Sequence, residues 1–186
     1  LMGVLVDRMR GHGPRAHEVW LPPLESSPTL DQLLPRWATG DQPRGNLSAP
    51  FGIVDRPFDQ RRDLLVADLN GSTGNLAIVG GPQSGKSTAL RTLILSLSMT
   101  HTPEQIQFYC LDFGGGTLLG LKDLPHVGSV ANRLDSDRVR RTVAEVLGVV
   151  AKRERLFRDL GIESMADFRR LRTADPTGEG EAAGLR

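Results

Sequence analysis

The 186-residue chain carries 23 basic and 22 acidic side chains, a formal net charge of +1, with 39% hydrophobic and 24% charged residues. That composition is globular, its balance gives no reason to expect a polyanionic partner such as nucleic acid, and no apolar run approaches the roughly 18 residues a membrane span requires. A single cysteine, Cys110, excludes an intrachain disulfide framework and a cysteine-built zinc site, while the length suits one ordinary domain with extensions. The start at Leu1, with no signal-peptide pattern, reads as a piece of something longer.

Much of the punctuation from 21 glycines and 12 prolines falls in residues 1–50, at His12-Gly13-Pro14, Leu21-Pro22-Pro23, Ser27-Pro28, Leu34-Pro35 and Ala49-Pro50. Proline removes a backbone donor and biases its predecessor away from helix, so this stretch is expected to be an extended connector running over another surface. Its anchors are Val4-Leu5-Val6, Val19-Trp20-Leu21 and a helical turn or two at Thr29–Leu34, where Thr29 suits a cap and Asp31 a helix start. His12 and His17 lack further ligand partners, so no metal site is expected there.

From Phe51 the pattern changes. Phe51–Val54 and Leu64–Asp68 read as short strands, and Asn70-Gly71 with Gly74 as a turn before Leu76–Val79, a continuous apolar run expected to be a buried strand. Ala89, Leu90, Leu93, Ile94 and Leu97 recur at the spacing of one helix face, which predicts a helix over Lys86–Ser98 bounded by Pro103. Ile106–Leu111 is a further apolar run, and strand, helix, strand in about 30 residues is the signature of an α/β parallel sheet. Val139, Val143, Val146, Leu147, Val150 and Phe157 predict a long helix from about Asp137 to Leu160, stopped by Gly161, with a shorter helix at Ser164–Leu171. Residues 173–186 are read as a mobile end, which leaves 51–172 as the domain.

Residues 80–88 carry the chemistry. Gly80-Gly81-Pro82-Gln83-Ser84-Gly85-Lys86-Ser87-Thr88 fits G-x4-G-K-S/T between the expected strand and the expected helix. A phosphate chain needs backbone N–H groups turned inward, which demands glycine where a side chain would block the approach, and a helix start adds unpaired N–H groups and the positive dipole end. Gly80 and Gly85 shape the loop, Lys86 offers a point charge for the β and γ phosphates, Ser87 a hydroxyl for Mg²⁺, and Thr88 a contact for the α phosphate. The expected ligand is Mg-ATP.

Phe108–Asp112 is a strand ending in an acid and followed by Phe113-Gly114-Gly115-Gly116. Asp112 is expected near the phosphates, and reads either as the Walker B acid or as the end of an earlier strand. About 25 residues separate it from Lys86, and Phe113 stands where a water-polarising glutamate would follow, so the earlier-strand reading is favoured. No later apolar run ends in Asp-Glu, and no catalytic acid is assigned. Gly114–Gly116 read as a flexible turn, and the arginines and lysines of the long helix as a solvated face from which no residue is singled out to act on a neighbour's γ phosphate.

Gly81–Thr88, Leu111–Gly116, Arg10–Pro14, His17–Leu24 and Arg153–Met165 together resemble the EccC family, the FtsK/SpoIIIE-type ATPases of mycobacterial type VII (ESX) secretion. The resemblance covers nearly the whole chain. It implies a P-loop NTPase fold of the RecA/FtsK kind, one of three tandem modules behind a membrane anchor, and most readily part of the second. It further implies a cytosolic motor at the inner membrane, assembled as a homo-hexamer with adjacent ATPase modules and secretion-system membrane components, and exporting WXG-type effectors. The family's first module usually has Lys where this chain has Gly114. Its second and third often carry degenerate catalytic motifs, so ATP binding is expected and turnover is left open. Two other readings remain: a DNA translocase, against which the net charge counts, and a regulatory module that binds nucleotide without hydrolysing it.

Overall fold

A tight turn organises the first half of the domain. Gln60 adopts the left-handed region at φ 49° after the short helical turn Pro57–Asp59, and this reverses the chain between β1 (Ser48–Arg56) and β2 (Arg61–Asp68). The strands pair antiparallel, with Ile53 opposite Leu64 and Asp55 opposite Arg62. Cross-strand ion pairs, Arg56 to Asp63 at 2.8 Å among them, line the outer part of the hairpin. The expected strands Phe51–Val54 and Leu64–Asp68 both fall inside this hairpin. The computed structural model describes residues 2–13, 21–39, 47–70 and 74–174.

Helix α3 (Lys86–Thr100) lies at the centre of the packing because its apolar residues serve two layers. Leu93 and Leu97 bury against Ala49 and Ala67 of the hairpin. Ile94 packs with Cys110, Leu118, Leu121 and Val130 on the other side. Ser96, fully buried, donates from Oγ to the Pro50 carbonyl at 2.6 Å, so its hydroxyl has a partner in the hairpin.

The second layer is a parallel pair, β3 (Phe108–Asp112) and β4 (Val127–Asn132), in register so that Asp112 lies opposite Asn132. β4 is not expected from the sequence, because its Val-Gly-Ser-Val-Ala-Asn composition is weak for a strand. Tertiary contacts fix it. A Cβ on Gly128 would stand 2.9 Å from Cε1 of Tyr109, so glycine is what lets the ring lie against β4. Ser129 Oγ shares a 2.8 Å hydrogen bond with Thr142 Oγ1 of the helix that follows.

That helix, α4 (Ser136–Leu160), starts where the Asp135 carboxylate accepts from the Arg138 N–H at 2.9 Å and ends at Gly161, φ 63°. Both ends match the expected limits. Thr142 is buried, yet Val143, Val146, Leu147 and Val150 form a stripe that faces solvent. Helix α5 (Met165–Ala174) folds back onto α4 through Phe157 and Phe168, whose ring centroids lie 5.4 Å apart. Its Arg169 donates to Asn70 Oδ1 at 3.1 Å, and the same oxygen accepts from the Leu47 N–H.

One expected element does not form. Residues 74–80 have no strand structure, and Leu76 and Val79 are 47% and 92% exposed, where a buried strand was expected over Leu76–Val79. A strand needs a ladder partner, and no described strand pairs with this segment.

The connector region is more structured than its proline content suggests. Val4–Val6 lie within a helix, α1 (Met2–Met9), rather than an extended segment, and are exposed. Helix α2 (Leu30–Ala38) runs on through Pro35 beyond the expected end at Leu34; the Thr29 N–H at its start donates to Gln32 Oε1 at 3.1 Å. Leu33, 1% exposed, fixes α2 in place, and the Arg36 guanidinium donates to the Arg62 carbonyl at 3.1 Å. Val19 and Trp20 lie outside the described residues, as does the end from 175.

Candidate nucleotide-binding site

The direction of α3 places the glycine loop. At the helix's C-terminal end His101 offers its carbonyl to His126 Nε2 at 2.8 Å, and the His126 carbonyl accepts from the Phe108 N–H at 2.8 Å. Phe108 opens β3 and His126 directly precedes β4, so α3 ends at the amino edge of the parallel pair. Its 15 residues rise about 22 Å, the span of a strand this size and more. The N-terminus of α3, with residues 80–88, is therefore at the carboxyl edge, where α/β sheets hold their ligands.

The loop is built as its sequence requires. Gly85 caps α3 in the left-handed region at φ 84°, and Gln83 also takes a positive φ of 55°, a conformation uncommon outside glycine. A Cβ on Gly80 would lie 2.5 Å from Ser84 Oγ, so a side chain at position 80 would have to displace that hydroxyl. Gly81, Pro82, Gln83, Ser84, Ser87 and Thr88 are exposed, whereas Lys86 is half-buried. The Lys86 ammonium donates to the Gly81 carbonyl and stands 3.4 Å from Ser84 Oγ. First-turn N–H groups, one ammonium and two exposed hydroxyls form a donor set that fits a polyphosphate with an oxygen-seeking divalent cation.

Asp112 ends β3 at the same edge, buried at 7% exposure. Its Oδ1 accepts from the Gly114 N–H at 3.1 Å and its Oδ2 from the Leu118 N–H at 2.8 Å. These backbone donors, that of Leu118 first, hold the carboxyl below its ordinary range against the opposing effect of burial, with Gly114 and Gly116 adding to it. Asp112 thus folds the segment 113–118 over the strand end, and the glycines make that turn with positive φ at Gly115 and Gly116. The neighbouring Cys110 thiol is pushed up by burial and then by the Asp112 charge, which leaves it a protonated core group.

Asn132 is the group at this edge that sequence reasoning missed. Its Oδ1 accepts from the N–H groups of Leu134 and Asp135 at 2.8 and 3.1 Å, setting the turn that carries Arg133 into α4. An Asn three residues ahead of a helix cap is a recognisable turn signal, but without β4 there was no strand end to attach it to. The basic residues of α4 behave as a solvated face: the exposed Arg138 pairs with the half-buried Asp135 at 3.1 Å, and Arg140 with Asp137, both exposed, at 3.9 Å.

Comparison with known proteins agrees with this geometry. The model of the FtsK/SpoIIIE family matches residues 42–184. An ESX secretion system protein EccC from Thermomonospora curvata is 57% identical over 190 residues, covering 97% of this chain and 14% of that relative. The solved cytoplasmic domain of the Thermomonospora curvata type VII secretion ATPase EccC superposes with a TM-score of 0.85 at 55% identity, over 96% of this chain and 22% of that structure. A structure of ATPases 2 and 3 of the same EccC, in complex with a signal sequence peptide, gives 0.77 at 57% identity over 87% of this chain and 31% of that structure. The chain therefore spans a minor part of the relatives it matches.

Proposed function

The chain belongs to the FtsK/SpoIIIE family, and on that premise we propose that it is an ATP-binding module of a motor ATPase that powers or regulates type VII protein secretion. The observation that carries this reading is the Gly80–Thr88 loop opening α3 at the carboxyl edge of the parallel pair, within a chain so close to EccC. Bound Mg-ATP would supply a polyphosphate and a divalent cation. In this reading the N–H groups at residues 84–88 and the Lys86 ammonium bind the phosphates, Ser87 is the cation's protein ligand, and Thr88 contacts the α phosphate. Gly80, Gly81, Pro82 and Gln83 shape the cradle. Asp112 acts at one remove, by holding residues 113–118 in place beside it.

The module reading assigns residues 1–50 to a connector, 51–172 to part of one ATPase domain and 173–186 to a tail. The unpaired run Leu76–Val79 and the bare stripe of α4 support it, since both are surfaces that a larger sheet would cover. The similarity to a structure of ATPases 2 and 3 supports a place in that pair of modules, of which our reading takes the second. Partners on this reading are the adjacent ATPase modules in a homo-hexamer, membrane components of the secretion system and WXG-type effectors, with the module on the cytoplasmic side of the inner membrane. No residue of this chain is assigned to hydrolysis.

Isothermal titration of ATP into the parent and Lys86→Ala tests the core of the proposal. Loss of most of the affinity with an unchanged melting temperature is the expected result, because Lys86 stands at the very start of α3, outside both apolar clusters. Equal affinity in the two proteins would end the claim.

A further inference from the structure

The glycine loop holds its own lysine. Lys86 is half-buried in a stretch whose other residues from Gly80 to Thr88 are exposed, so its side chain lies back across the loop instead of reaching into solvent. Two acceptors meet its ammonium, the Gly81 carbonyl and Ser84 Oγ. The Ser84 hydroxyl reaches that place because Gly80 has no Cβ: a methyl there would lie 2.5 Å from Oγ and 3.7 Å from Lys86 Cγ. The left-handed residues on either side of Ser84, Gln83 at φ 55° and Gly85 at φ 84°, turn its side chain toward the inside of the curl. Gly80, Ser84 and Lys86 thus form one interlocked unit.

We propose that Ser84 is a positioning residue that stows the Lys86 ammonium in the nucleotide-free loop, and that an entering phosphate must displace Ser84 Oγ and the Gly81 carbonyl before Lys86 can serve it. The idea rests on the phosphate-binding reading of the loop and adds its resting state. Phosphate oxygens replace two protein acceptors, so part of the attraction between Lys86 and the ligand is offset by the contacts it leaves. Of the two acceptors, the carbonyl belongs to the backbone and is common to any sequence, whereas the hydroxyl is a choice at position 84. Ser84 therefore sets how firmly Lys86 is held, and with it the affinity of the loop.

The test uses Ser84→Ala in the whole chain, with two measurements. In the nucleotide-free protein, nitrogen-15 spectra of labelled lysine report hydrogen exchange at Lys86 Nζ, assigned by its loss in Lys86→Ala. Titration with inorganic triphosphate and with ATP gives affinity. Faster Nζ exchange and about three-fold tighter binding of both ligands are expected, the low end for one net hydrogen bond given the 3.4 Å separation. A Ser84 that merely supports the loop would give weaker binding in the variant. Unchanged Nζ exchange, or affinity equal to or below the parent's, overturns the proposal. If the parent binds neither ligand, the phosphate-binding reading fails, and the exchange rate alone decides whether Ser84 holds Lys86.

Discussion

Replacing Leu33 with Ala measures whether the connector is part of the folded domain. Leu33 is 1% exposed and stands on α2 against β1 and α3. The substitution removes three carbons, worth about 2.4 kcal/mol at ~0.8 kcal/mol per buried methylene, and the cavity left behind raises the total to about 3 kcal/mol. For a chain of this size that is a fall in melting temperature of about 6–12 °C. Leu5→Ala on α1 is the control: Leu5 is 52% exposed and its loss should cost less than about 0.5 kcal/mol. Urea unfolding of the parent and both variants gives the two numbers, and amide exchange over residues 48–56 shows whether the loss is felt in β1. A Leu33→Ala effect below about 1 kcal/mol, close to that of Leu5→Ala, would refute the packing argument and leave α2 a loosely attached tether.

Asp112→Asn should cost about 2 kcal/mol at neutral pH, since an amide oxygen cannot accept from the Gly114 and Leu118 N–H groups as the carboxylate's two oxygens do. The folded-state carboxyl is held below its unfolded value, so this stabilisation is present above about pH 4 and is lost as pH falls through the lower folded value. Stability measured from pH 2 to 7 should therefore converge for parent and variant at the acid end; a constant gap across that range would show that the charge is irrelevant. Gly128→Ala should destabilise by about 1–3 kcal/mol, because the new methyl meets Tyr109 Cε1 at 2.9 Å and Cζ at 3.1 Å. Tyr109→Leu in the same chain should recover part of that loss, and a double variant no more stable than Gly128→Ala alone would mean that the ring is not what excludes the side chain.

The glycine loop was legible in the residues because its demands are local. Glycine at 80 and 85, Lys86 and the helix that follows depend on neighbours within about one turn, and the observed loop has left-handed backbone at Gly85 and a closed approach at Gly80. The limits of α4 were legible for the same reason: Gly161 ends it with φ 63°. The hairpin strands were legible as apolar β-favouring runs, although the turn at Gln60 that joins them was not named.

Three features waited for tertiary structure. Leu76–Val79 has the composition of a buried strand, yet a strand is a relation between two segments, and pairing cannot be read from one of them. β4 shows the converse, a weak sequence drawn into a strand by the ladder to β3, the Tyr109 ring over Gly128 and the bond from Ser129 to Thr142. Asp112 was identified as an acid at a strand end, but only the fold shows both of its oxygens taken up by the backbone of residues 114 and 118. The sequence determined those parts whose energetics lie within a few residues, namely the loop, the caps and the periodic helices. Burial, strand pairing and the partners of a charged group depend on residues far apart in the chain, and the tertiary structure alone decided them.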